Sequence, residues 1–232
     1  FAENEDFTYF GTDLNTAVTG LSLNTFLNPN LRWETTEQLD IGFDLNLFHD
    51  KFTFVMDWFR KDTRDLIEDL IVTPTAGIEV APKGNVGKVR NSGLEFAATY
   101  ADRVGNINYN LGANFASLKN EVLDLGDVKY LSHTQTIRGF QPLRSGVGQP
   151  WYSYYLIPTD GLFRTQQEID SYNKENKNAQ INAKPGDIRF VDVDGNGIIN
   201  ENDRQYMDSY APKYTYAFNA GAFWKNIDFS FQ

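Results

Sequence analysis

The sharpest chemical signal in this chain is residues 192–203, DVDGNGIINEND, where oxygen-bearing side chains recur at the spacing a hard cation requires. Asp192, Asp194 and Asn196 supply side-chain oxygens at loop positions 1, 3 and 5, Gly197 permits the sharp bend, and Ile198 offers its backbone carbonyl. Asn200 and Asp203 take positions 9 and 12. The expected occupant is Ca²⁺ or a similar hard cation, with the aspartate at position 12 reaching less far than the usual glutamate. The same residues also suit a metal-free element, because Asp and Asn side chains accept hydrogen bonds from nearby backbone N–H groups in Asx-turns. The spacing alone leaves both readings open.

Other chemistry finds less support. The two histidines, His49 and His133, fall in a predicted turn and a predicted loop, and neither has the neighbours of a zinc site or a catalytic triad. Carboxylates are abundant, but no acid pair stands out as a glycosidase dyad. Gly195 and Gly197 belong to the cation loop and precede no long helix, so they form no nucleotide fingerprint. No enzymatic activity is expected. Aromatic residues in 140–163, chiefly Trp151, Tyr152 and Tyr154, could stack on a sugar or peptide ligand; the competing reading is strand packing or an interfacial girdle. The absence of cysteine removes disulfides and thiolate chemistry. A net charge of -10 argues against a general nucleic-acid binder, which must neutralise phosphates.

The elements that must carry these residues are strands. Across residues 31–66, Leu39, Ile41, Phe43, Leu45 and Leu47 alternate with Asp40, Gly42, Asp44 and Asn46. After a turn at 49–51, the return strand sets Phe52, Phe54, Met56 and Trp58 against Thr53, Asp57 and Lys61, with Val55 and Phe59 as apolar exceptions. Such strands exceed the usual length of about five or six residues and suit a tilted membrane crossing of about 9 to 11. The next pair places Leu94, Phe96, Ala98 and Tyr100 outward, a turn at 101–105, then Tyr109, Leu111, Ala113 and Phe115 outward over an inward row of asparagine and glycine. A last hairpin at 214–232 turns at Lys225 and Asn226.

Short turns therefore alternate with long connections at 67–87 and from 119 onward, the pattern of outer-membrane barrels. The predicted organisation is a loop or strand ends over 1–30 and barrel hairpins over 31–118. A long loop region with short strands, a short helix near 164–173 and the Asp-rich loop follows over 119–213, and a last barrel hairpin, cut short in mid-pattern, is expected over 214–232. No stretch is long and apolar enough for a membrane-crossing helix. The small, polar inner face fits a wide or plugged lumen, so these strands are expected to form part of a larger all-β, antiparallel transmembrane barrel.

Five separated segments resemble the SusC/RagA-like family of TonB-dependent outer-membrane transporters of Bacteroidetes. These are residues 28–36 (NPNLRWETT) with 40–44 (DIGFD), 61–66 (KDTRDL), 85–95 (NVGKVRNSGLE), 148–163 (GQPWYSYYLIPTDGLF) and 185–190 (PGDIRF) leading into the Asp-rich loop. Tyr154-Tyr155-Leu156 departs from the family's YGY, and 208–212 lacks its glycine. The resemblance implies the C-terminal part of a plugged barrel of about 22 strands with long extracellular loops, lying in the bacterial outer membrane. It also implies import of a bulky nutrient, an oligosaccharide or peptide, with a SusD-like surface lipoprotein on the outside and TonB acting through an N-terminal plug outside this chain. Two other functions compete: a structural or accessory barrel subunit, and a soluble calcium-dependent carbohydrate-binding β protein.

Overall fold

The computed structural model describes residues 2–10, 17–70, 75, 80–133 and 140–232, with backbone alone over 2–10 and 17–25. Pro74 and Gly77, whose residue types would break strands in the 67–87 connection, lie outside the described residues. In chain order the strands are β1 (Ala2–Phe10), β2 (Ala17–Thr25), β3 (Thr35–Leu47), β4 (Phe52–Arg64), β5 (Ile67–Asp69), β6 (Lys83–Asn85), β7 (Lys88–Val104) and β8 (Ile107–Asp124). There follow β9 (Tyr130–Ser132), β10 (Leu143–Gly146), β11 (Ser153–Leu156), β12 (Thr159–Leu162), helix α1 (Gln166–Glu175), β13 (Ile188–Phe190), β14 (Gln205–Ser209), β15 (Tyr214–Trp224) and β16 (Ile227–Phe231). The chain divides into two compact units, one of residues 1–127 with 214–232 and the other of residues 128–213.

The first unit is a wall. Six long strands pair antiparallel in the order β16-β15-β8-β7-β4-β3. The register brings like residues together. Across the strands Phe43, Met56, Phe96, Phe115 and Tyr216 share one outer row, and Leu45, Phe54, Ala98, Ala113 and Phe218 the next. The rings form a diagonal ladder, with Phe43–Phe54, Phe54–Phe96, Phe96–Phe115 and Phe115–Tyr214 centroids 5.8, 6.2, 5.1 and 5.9 Å apart. Leu39, Ile41, Phe43, Leu45 and Leu47 are all exposed, Ile41 to 61%. A water-soluble sheet would hide a face like this, at about 25 cal/mol per Å² of apolar area.

Charge closes the apolar band at both ends. At the turn end, Lys51 pairs with Asp102 at 2.8 Å and the Tyr100 hydroxyl donates to Asp102 at 3.1 Å. At the other end Asp62 is gripped by Arg60 (2.9 Å) and Arg90 (2.7 Å), while Arg64 pairs with Glu37. Between the charges β4 contributes Phe52 to Trp58 and β7 contributes Leu94 to Tyr100, about 20 Å of strand each at 3.3 Å per residue.

The inner face alternates with this one and is polar and small. Gly42 lies opposite Asp57, Gly112 opposite Asn219 and Gly221 opposite Asn110. In each pair the polar side chain fills the space that a Cβ on the glycine would need. Phe59, one of the two apolar exceptions in the alternation, lays its ring over Gly93 in the same way.

Several boundaries differ from the sequence reading, each for a local reason. Residues 101–104 continue β7, and the turn contracts to Gly105 and Asn106. There Gly105 has a φ of 59° and its carbonyl accepts from the Arg103 side chain at 2.8 Å. Residues 159–162, where the sequence suggests a turn over 158–161, form β12 because β13 supplies a partner, with a register shift around Gly161 at φ 83°. Residues 1–30, read as loop or strand ends, contain the antiparallel pair β1 and β2. Within the 67–87 connection, read as a loop with a short β excursion, β5 and β6 supply that excursion as an antiparallel pair.

The second unit has a four-stranded antiparallel sheet, β14-β11-β10-β9, a β12–β13 pair and helix α1. Thr165 starts the helix because its hydroxyl accepts from the Glu168 N–H at 3.2 Å, as an N-cap should. Phe163 and Ile169 form its apolar centre, and the Phe163 and Tyr172 rings meet edge-on at 5.4 Å.

Candidate functional site

The Asp-rich loop folds around its own backbone. Asp192 accepts from the Gly195 and Asn196 N–H groups through Oδ1 (2.9 and 3.2 Å) and from Gly197 through Oδ2 (2.7 Å). Asp194 accepts from the Asn196 N–H at 3.0 Å, and Asn196 from that of Ile198 at 2.7 Å. Asn200 caps a single 3₁₀ turn, 201–203, whose Asp203 accepts from the N–H groups of Asn200 and Val193, both at 2.8 Å. Gly195 and Gly197 take φ of 70° and 87°, the left-handed region that the tight path demands. Lys177, just past α1, donates to the Gly195 carbonyl at 2.6 Å and packs against Gly197.

Carboxylate oxygens of Asp192, Asp194 and Asp203 lie within 4.8 Å of one another. Ca²⁺ binds oxygens at about 2.3–2.6 Å, so two ligands of one ion sit at most about 5 Å apart, and the three acids meet that limit. The remaining sequence candidates stand differently. The Asn196 oxygen is turned to a backbone N–H, the Ile198 carbonyl takes a long 3.4 Å bond from the Asn200 side chain, and Asn200 serves as a cap. Asp203 is fully buried, and its carboxyl is held below the usual range chiefly by the Asn200 N–H, against the opposing effect of burial. The loop thus has the donor set of a cation site and also closes without one.

The aromatic candidates separate. Trp151 and Tyr152 lie in the turn before β11 and gather round His133, whose ring stacks on Tyr152 at 3.7 Å and meets Trp151 edge-on at 5.7 Å. His133 is buried, with Nε2 2.7 Å from the Ser145 hydroxyl, which also accepts from the Tyr152 N–H at 2.9 Å. Burial pushes the imidazole pKa down. Ser145 is wholly inaccessible, and no carboxylate pairs with His133 among the described residues, so the His–Ser pair is packing rather than a nucleophile and its base. Tyr154 is exposed and joins no ring pair among the described residues. Nothing in local spacing announces His133, because its partners come from 12 to 19 positions further along the chain.

The motif residues outside the Asp-rich loop act as ties. Asn85 exchanges two 2.8 Å hydrogen bonds with the backbone of Arg32 and donates to the Asp65 carbonyl at 2.7 Å. Glu34 accepts from the Ile67 N–H at 2.9 Å, and Asn28 donates to the Lys83 carbonyl at 3.2 Å. Together they hold 28–34 to the β5–β6 hairpin.

Comparison with known proteins agrees with this architecture. A family profile described as "TonB dependent receptor-like, beta-barrel" matches residues 3–232. TonB-dependent receptor P26 of Formosa agariphila is 31% identical over 215 residues, covering 92% of this chain and 21% of that protein. TonB-dependent receptor SusC of Bacteroides thetaiotaomicron is 24% identical over 207 residues, covering 88% and 19%. The chain therefore spans about a fifth of the length of the curated relatives it matches. Among solved structures, the RagAB peptide transporter superposes with a TM-score of 0.70 at 20% identity over 97% of this chain and 23% of that one.

Proposed function

Because this chain belongs to the TonB dependent receptor-like β-barrel family, we propose that it supplies wall strands and external loops to an outer-membrane transporter that imports a bulky oligosaccharide or peptide. Members of the family are receptors and transporters built on outer-membrane barrels, not enzymes. The observation that carries the proposal is the two-faced wall: an exposed apolar band closed by charge at both ends, backed by a polar, small-residue inner face. Such a sheet suits lipid outside and water inside. The soluble lectin-like alternative gives no account of the exposed outer row.

Orientation follows from connection length. The tight turns at 48–51, 105–106 and 225–226 leave one end of the sheet, and the long connections 65–87 and 125–213 leave the other. In barrels of this kind the short turns are periplasmic and the long loops extracellular. On that basis the 128–213 unit is assigned to the cell exterior, where a SusD-like lipoprotein could cap it, and TonB would act from the periplasm through the rest of the protein.

The test is affinity purification of the full-length receptor from outer membranes, paired with uptake of labelled oligosaccharides and peptides with and without TonB. Co-purification of a surface lipoprotein and TonB-dependent uptake are expected. A receptor that purifies alone from intact membranes would sink the partner, and uptake unchanged without TonB would sink the mechanism.

The Asp192–Asp203 loop is further proposed to hold Ca²⁺, with Asp192, Asp194 and Asp203 as its acids. The ion would cross-link the loop and do no chemistry. Calorimetric titration of the full-length protein should show binding that Asp194→Ala weakens; the absence of calcium heat from chelator-treated protein would exclude the site.

A further inference from the structure

A second site is built around Arg144 on the four-stranded sheet of the 128–213 unit. β10 carries Arg144 between β9 and β11, and each flanking strand sends one ring to it. The guanidinium carbon lies 3.8 Å from the centroid of Tyr130 and 3.7 Å from that of Tyr155. Tyr206 of β14 packs against Tyr155 at 5.0 Å, its hydroxyl beside the same guanidinium. Gly146, two residues along β10, leaves the space that Tyr206 occupies.

The arginine is thereby held without being neutralised. Among the described residues ten other cationic side chains pair with carboxylates, yet no carboxylate pairs with Arg144. Arg204 shows the contrast: it lies over the Phe140 ring at 4.5 Å and is also tied to Glu201 at 2.6 Å. Rings on both sides fix the Arg144 side chain by cation–π attraction, which limits the rotamer entropy a binding event must remove. Beside the Tyr206 hydroxyl, the N–H edge of the guanidinium pairs with no carboxylate among the described residues and suits one bidentately. Tyr130 is 41% exposed, so the site opens to solvent.

We propose that Tyr130, Arg144, Tyr155 and Tyr206 form a binding site for a ligand carboxylate, carried by an acidic sugar or an acidic peptide. The rings would also stack on the ligand's apolar faces. The site stands on the geometry of its own sheet; its role in capturing cargo rests on the transporter reading, and binding is therefore measured apart from uptake.

Purified full-length receptor is titrated by calorimetry with a trigalacturonate and its methyl ester, and with a glutamate-rich tripeptide and its fully amidated form. At least one acid should bind about tenfold or more tightly than its neutral twin, the difference expected when a charge-assisted pair is lost. The two acid arms tell a sugar source from a peptide source. Arg144→Lys keeps the charge and a cation–π contact but loses the planar fork, and should erase most of that preference; Arg144→Gln should erase it all. Equal binding of acid and neutral twins on the unaltered receptor overturns the site, whether or not the variants assemble. So does a preference that survives both substitutions, and so does binding of a sulfated trisaccharide in place of either acid. If uptake fails while the acid preference stands, the transporter reading falls and the site remains.

Discussion

His133 is where single-residue chemistry is most sensitive to conditions. Its buried ring stacks on Tyr152 and touches the Ser145 hydroxyl, and burial sets its pKa below the ordinary value of 6.5. The neutral form is thus favoured in the folded state. Above pH 6.5 both folded and unfolded chains hold a neutral imidazole and nothing is lost. As pH falls below 6.5 the unfolded chain takes a proton first, so stability declines until the depressed folded pKa is reached. We expect intrinsic-rate-corrected hydrogen exchange at residues 131–133 and 145–153 of the full-length receptor to speed up between pH 7 and pH 5, and His133→Gln to flatten that slope. An equally steep slope in the variant would assign it to another group. Little of this environment was legible in the sequence. The 1-3-5 spacing of Asp192, Asp194 and Asn196 is local and readable, whereas the surroundings of His133 and Arg144 depend on which strands flank β10, and strand order is not written in any short stretch.

The wall strands were the most legible elements because two faces in two solvents impose a strict period of two. Phe43, Phe54, Phe96 and Leu111 stand on the outer face as their spacing requires, and even the exception at Phe59 acquires a reason once Gly93 is seen beneath it. Ends were less legible. β8 runs on to Asp124, nine residues beyond Phe115, past the apolar band, because β7 continues beside it and satisfies its backbone. Position on the wall should govern the effect of substitution. Phe96→Arg, at the centre of the aromatic ladder, is expected to cost about 2–4 kcal/mol, the range for a basic side chain facing mid-bilayer lipid. Ala97→Ser, next along the strand but facing inward, should be near neutral. Urea titration of the full-length receptor in lipid vesicles measures both, and equal losses would mean that the faces are assigned the wrong way round.

At the scale of the molecule, the six-stranded sheet is open, with β3 at one edge and β16 at the other. In hydrocarbon, each unpaired backbone group on such an edge costs several kcal/mol, and only closure removes edges. The 232-residue stretch expressed alone should therefore give no heat-modifiable species on gels in lipid or detergent, whereas the full-length receptor should give one. A folded, heat-modifiable band from the stretch alone would show that it closes by itself or with copies of itself.

The glycines of the inner face bear on how such a wall meets whatever moves past it. At Gly42, Gly112 and Gly221 a carboxylate or amide from the next strand lies across the glycine instead of standing free. The polar groups are folded down to the level of the backbone. A hydrated solute gliding along this surface would meet few protrusions to catch on and a nearly even carpet of weak, exchangeable hydrogen bonds, so the wall would let it pass with little friction rather than grip it.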